Sequence, residues 1–275
     1  MTYATLMVHL QPGRSNAAVL AMTRRLAKRF NAAVIGIAAT QPMQMDLGDG
    51  STAVDIYALN RDEIAGEVHK AEVEFRHAMG PAVPDLQWRS VSLLSSLSDY
   101  LACEARSADL FLTAVDASSY FDNMRRVSTG DLIMRIGRPV LLVPTSAEHL
   151  DLQRVMVGWK DSRETRRAIV DALPFLRTAS HVCLVEVRSE NESAASEGRL
   201  AEVAAWLQRH GIAAECISSP ACADDAGALY TFAQDRGIDL TVAGAYGHSR
   251  MREWVLGGVT RDLLVGGNRC ALVSH

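Results

Sequence analysis

Short apolar runs alternate with stretches of helical periodicity along the whole chain. Residues 5–10, TLMVHL, are almost wholly apolar and stop at a Pro-Gly pair. Residues 16–30 carry apolar side chains at helical spacing, and 33–38 form a second apolar run. An amphipathic helix is predicted over 62–79, an alternating strand over 87–91 and a helix over 96–106. A strand at 110–114, a helix at 129–136 and a strand at 139–143 complete the series. The same succession returns between residues 155 and 274. Short apolar strands separated by helices predict a mainly parallel sheet covered on both faces. The expected fold is α/β: two tandem doubly wound domains, each a five-stranded mainly parallel sheet flanked by helices.

The repetition extends to individual residues. ADLFLTAV in the first half answers IDLTVAGA in the second, with Asp109 over Asp239. Asp131-Leu132 matches Asp262-Leu263, and Arg138 matches Arg269. Val140-Leu141-Leu142 lies over Ala271-Leu272-Val273. At the start of each half, Met7-Val8 lies over Met156-Val157. A repeat of this length means two copies of one domain. The boundaries read from it are 1–146 and 152–275.

Composition narrows the function without naming it. The chain has 275 residues, 48% hydrophobic and 22% charged, ordinary values for a globular protein. A net charge of -4 gives no reason to expect nucleic-acid binding. No run of about 18 apolar residues is present, so no membrane span is expected. The first apolar run is short and lacks a basic flank, so no signal peptide is expected. The five cysteines form no CxxC pair, which fits thiols in a reducing cytoplasm rather than disulfides or a zinc site.

The most informative stretch is 244–260, GAYGHSRMREWVLGGVT. Gly244 and Gly247 leave the end of an apolar strand. After nine residues, Gly257 and Gly258 stand before a predicted helix that opens at Thr260. Glycine lets a backbone N–H approach a phosphate oxygen directly. A helix start adds unpaired N–H groups and a favourable dipole. Thr260 supplies a hydroxyl or a cap. Any single glycine pair is explained as well by a turn. The full spacing, after a strand in an α/β repeat, favours an anion or nucleotide site.

This motif resembles that of the universal stress protein family: G, two residues, G, nine residues, G, then a small residue. The resemblance covers the whole chain and implies a tandem two-domain member. Its ATP-binding branch implies ribose and phosphate contacts at Gly244, Gly247, His248, Gly257, Gly258, Val259 and Thr260. ATP or ADP, with or without magnesium, is the implied ligand. Two positions depart from the pattern. Gly258 stands where Ser or Thr is usual. Lys160, in VMVGWKDS, stands where an Asp usually ends the first strand, with Asp161 one residue later. A lysine cannot accept a hydrogen bond from adenine or a ribose hydroxyl. Lys160 is therefore either a phosphate partner or a solvated loop residue. The family also implies that the last strands of the two halves pair edge to edge, 139–143 with 270–274, as an intramolecular pseudo-dimer. Homodimerisation of the whole chain is left open.

In the first half Ala114 and Ala117 replace the first glycine pair, and Arg126 and Val127 the second. Gln11 replaces the first-strand Asp. The first domain is expected not to bind ATP in the family's manner. His9 ends the first strand and reads as structural. No GxSxG, HExxH or GxxxxGK[ST] motif is present. Three function classes follow. The first is a stress-response sensor or regulator that binds a nucleotide or other phosphorylated small molecule and reports to an unknown protein partner. The alternatives are a protein-binding scaffold without a nucleotide site and a weak ATP hydrolase.

Overall fold

The computed structural model describes residues 2–42, 53–83, 85–115, 127–147, 151–188, 193–220, 225–245 and 269–275. By packing, the chain divides into an N-terminal unit, Tyr3–Arg138, and a C-terminal unit made mainly of Pro139–His275.

The N-terminal unit carries four parallel strands in the order β3-β2-β1-β4. They are β1 (Thr5–His9), β2 (Ala33–Thr40), β3 (Leu86–Ser92) and β4 (Leu110–Val115). The crossovers run through helices α1 (Ala17–Phe30), α2 (Ala53–Met79) and α3 (Leu97–Glu104), and α4 (Thr129–Ile136) follows β4. The apolar stripe of α1, with Val19, Leu20, Met22 and Leu26, is buried as its periodicity predicts. Asn31 ends α1 in the left-handed conformation that asparagine tolerates. Ser96 and Ser128 cap α3 and α4, each accepting from the N–H three residues on. Helix α2 begins at Ala53, nine residues before the predicted start at 62. Its first turns lack the sharp apolar stripe on which that prediction rests.

The C-terminal unit has six strands in the order β5-β10-β9-β6-β7-β8. They are β5 (Val140–Pro144), β6 (Arg154–Trp159), β7 (His181–Arg188), β8 (Glu215–Pro220), β9 (Leu240–Gly244) and β10 (Cys270–Ser274). All neighbours are parallel except β5 and β10. That antiparallel pair joins Leu142 to Ala271, Leu141 to Leu272 and Val140 to Val273, so the expected pairing of the two last strands is present. The repeat therefore divides the chain after β5, whereas packing divides it before β5.

Helices cover both faces of this second sheet. On one lie α5 (Arg163–Asp171), α6 (Leu173–Leu176) and α7 (Ser193–Arg209). On the other, α8 (Asp225–Asp235) packs Leu229 and Ala233 against Met156, Cys183 and Val185.

The repeat also has a hydrogen-bond signature. The Asp109 carboxylate accepts from the N–H groups of Ala4 and Thr5, at 2.8 and 2.9 Å. The Asp239 carboxylate accepts from Gln153 and Arg154, at 3.0 and 2.9 Å. Each aspartate ties the start of the first strand of its own repeat, β1 or β6, to the strand beside it. The matched aspartates in the two halves are thus one structural device used twice.

Candidate functional site

In the C-terminal unit β6 is central. The chain proceeds outward through β7 and β8 on one side, then returns to β9 and β10 on the other. Strand order therefore reverses between β6 and β9, and in open α/β sheets the crevice beyond that point is where ligands bind. Lys160 follows β6 and Gly244 ends β9, so the structure brings these two predicted residues to the same mouth. Gly247, His248, Gly257, Gly258, Val259 and Thr260 lie outside the described residues, as do Ala117 and Arg126 in the first half.

Gly244 has a packing role that the motif did not suggest. A Cβ built on it would stand 2.5 Å from the Thr165 peptide nitrogen and 2.6 Å from the Glu164 carbonyl carbon. The obstacle is backbone, so no side-chain rotation relieves it. The missing side chain lets the first turn of α5 settle directly on the end of β9. By contrast, a Cβ on Gly158 would meet nothing nearer than the Val242 oxygen at 3.8 Å.

The first turn of α5 carries its own anion. Ser162 caps the helix, its hydroxyl accepting from the Thr165 N–H at 3.3 Å. Glu164 is buried and paired with Arg163. Burial pushes its carboxyl upward. The Arg163 guanidinium, the residue's own N–H and the Ser162 hydroxyl outweigh that and hold it below the ordinary carboxylate value. A carboxylate thus already occupies the favourable dipole end of α5.

Lys160 is exposed, and its carbonyl accepts from the Ser162 N–H at 2.7 Å. Asp161, the neighbouring carboxylate, is exposed and pairs at 3.9 Å with Arg166. Trp159 ends β6 and is 7% exposed. Its indole nitrogen is buried and has no hydrogen-bond partner among the described residues. Register sets Val157 beside Val242 and Trp159 beside Glu186. Because side chains alternate along a strand, Trp159, Glu186 and Gly244 share the α5 and α7 face.

Glu186 centres a polar cluster that sequence reasoning missed. It is 6% exposed, accepts from the Ser196 hydroxyl at 2.6 Å and from Arg199 at 2.9 and 3.2 Å. Ser196 meets Ser218 at 2.9 Å, and Arg188 donates to Ser218 at 2.8 Å. A glutamate inside the apolar run HVCLVEVR was the available signal, since a charge on a buried strand requires partners.

In the N-terminal unit a side chain bridges the corresponding strand ends. The Gln11 amide donates to the Ala114 carbonyl at 3.0 Å, bridging the ends of β1 and β4. Asn16 binds the Gln11 N–H and carbonyl, at 2.9 and 3.2 Å. His9 is buried, and its Nδ1 lies 3.1 Å from the Thr113 hydroxyl. Burial lowers its pKa to about 4, so it is neutral at physiological pH.

Among the described residues no group of three or more His, Cys, Asp or Glu could hold a metal ion. Burial pushes Cys183 to about 11 and Cys270 to about 12, which disqualifies both as nucleophiles at neutral pH. No described helix is long and apolar enough to cross a membrane.

No protein-family model matches the sequence, and no curated protein matches it. Solved structures do. A universal stress protein from Archaeoglobus fulgidus aligns with a TM-score of 0.77 over 98% of this chain and 95% of its own, at 10% identity. The fold is that of the universal stress proteins. A functionally unknown protein from Pseudomonas aeruginosa shares it with a TM-score of 0.60, over 99% of this chain and 92% of its own, at 13% identity. On this universal stress protein fold the doubly wound expectation stands, and the two halves differ in their mouths. One is bridged by Gln11. In the other, Lys160 follows β6 and Gly244 ends β9.

Proposed function

We propose that the protein is a stress-response sensor or regulator. It holds a nucleotide or another phosphorylated small molecule at the carboxyl ends of β6 and β9 and passes that state to a protein partner. The observation that carries this reading is the strand-order reversal between β6 and β9, from which the glycine-rich segment departs. The described part of the mouth fits such a ligand in part. Lys160 suits a phosphate or a carbonyl, but it does not suit the amino edge of adenine. A protein-binding scaffold without a ligand is the second reading. It is favoured by Gly244 packing against α5 and by Glu164 filling the helix start.

The test is mass spectrometry of small molecules released from the denatured protein, beside a Gly257→Val, Gly258→Val control. Gly244 must be left intact, because replacing it disturbs α5 whether or not a ligand binds. A nucleotide released by the parent and missing from the control supports the sensor. No nucleotide in either, with no binding in an ATP, ITP, CTP and UTP titration, leaves the scaffold.

A further inference from the structure

Both hydrogen-bonding groups of the Ala245 backbone are taken by the end of β10 and the residue after it. The Ala245 N–H donates to the Ser274 carbonyl at 2.8 Å. The Ala245 carbonyl lies 3.1 Å from His275 Nδ1. A carbonyl only accepts, so Nδ1 carries the proton and donates. Ser274 is tied in turn. It is buried, and its hydroxyl donates at 2.8 Å to the carboxylate of Asp171, the last residue of α5. The first turn of the same helix rests on Gly244. Residues 244 and 245 are thus held from α5 and from β10, at the point where the glycine-bearing segment leaves the sheet. In the first repeat Val143 and Pro144 stand where Ser274 and His275 stand in the second, and neither of those side chains donates. This polar fastening is therefore available only to the half that keeps the glycines.

We propose that His275 and Ser274 are positioning residues for the ligand site. They fix the Ala245 peptide, from which the glycine-bearing segment departs, and so pre-organise binding. This rests on the nucleotide reading and adds to it the groups that hold the site in place. A segment anchored before the ligand arrives has less freedom to lose on binding, which raises affinity without any new contact to the ligand. Loss of the His275 donor leaves the Ala245 peptide held by its backbone bond to Ser274 alone.

Two readouts on the full chain test it. One is hydrogen exchange at the Ala245 amide. The other is the Kd, by calorimetry, of whichever of ATP, ITP, CTP and UTP the parent binds most tightly. His275→Ala should speed the exchange and weaken the binding by about three- to tenfold each, the scale of one hydrogen bond. Ser274→Ala should move both in the same direction. His275→Asn, whose side-chain N–H can stand where Nδ1–H stands, should restore both to within about twofold of the parent. Amides in the middle of β6 should exchange as in the parent throughout. Unchanged Ala245 exchange in His275→Ala overturns the fastening. Faster exchange with an unchanged Kd overturns the positioning role. So does loosening that spreads through β6, or a failure of asparagine to restore binding, because either marks a general structural role. A parent that binds none of the four nucleotides overturns the nucleotide reading, and this inference with it.

Discussion

The Thr165 peptide nitrogen lies 2.5 Å from where a side-chain carbon on Gly244 would stand. The first glycine of the motif is thus held by the packing of α5, whatever else it contacts. Gly244→Ala is expected to destabilise the protein by about 1–3 kcal/mol, the scale of overpacking a core. Gly158→Ala, with only a 3.8 Å contact to accommodate, should cost less than about 1 kcal/mol. Thermal melts of the two variants beside the parent separate them. Equal melting temperatures would mean that α5 shifts freely and that the close approach is not a constraint.

The paired aspartates give a second comparison. Asp109 and Asp239 make the same two hydrogen bonds to the start of the first strand of each repeat. Asp109→Ala and Asp239→Ala should each lower stability by about 1–3 kcal/mol, because charge-assisted bonds to backbone N–H groups are lost. Denaturant titration of each single variant measures this. A large loss for one and none for the other would show that the shared geometry does not carry shared energy.

His9 makes stability depend on pH. Its folded pKa is about 4, below the ordinary 6.5, because the charged ring would be buried. Between these values the unfolded chain binds the proton and the folded chain does not. Stability from this group is therefore complete above pH 6.5 and declines as pH falls toward 4, by about 3 kcal/mol. His9→Leu should flatten the slope in that window, although it leaves the Thr113 hydroxyl without its partner. Unfolding free energies at pH 4.5, 5.5 and 7 test it. An unchanged slope would assign the dependence to other groups.

Glu186 should be among the more sensitive positions in the C-terminal unit. Glu186→Ala removes the partner of both Arg199 and Ser196 beneath α7. Breaking a buried pair by deleting one member costs about 3–5 kcal/mol when burial is complete. Arg199 is part-exposed, which places the expected loss nearer about 2–3 kcal/mol after solvent screening. A double-mutant cycle with Arg199→Ala measures the coupling. Additive effects would make the cluster a set of independent contacts.

The sequence by itself determined the fold class, because buried strands and amphipathic helices write their periods directly into residue order. It also determined the tandem repeat, while the pairing of β5 with β10 was implied only by the family resemblance. The matches from Asp109 over Asp239 to Val140 over Ala271 are local comparisons that need no coordinates. Tertiary structure alone decided what several of those residues touch. Gly244 read as a place of close approach because glycine signals that without saying to what, and the fold shows one such approach, to α5. Gln11 read as a lost acidic residue, and in the fold its amide ties β1 to β4. Glu186 and the unpartnered Trp159 N–H were invisible as a pair. That they stand beside each other on adjacent strands depends on register, and register is set by contacts between segments far apart in the chain.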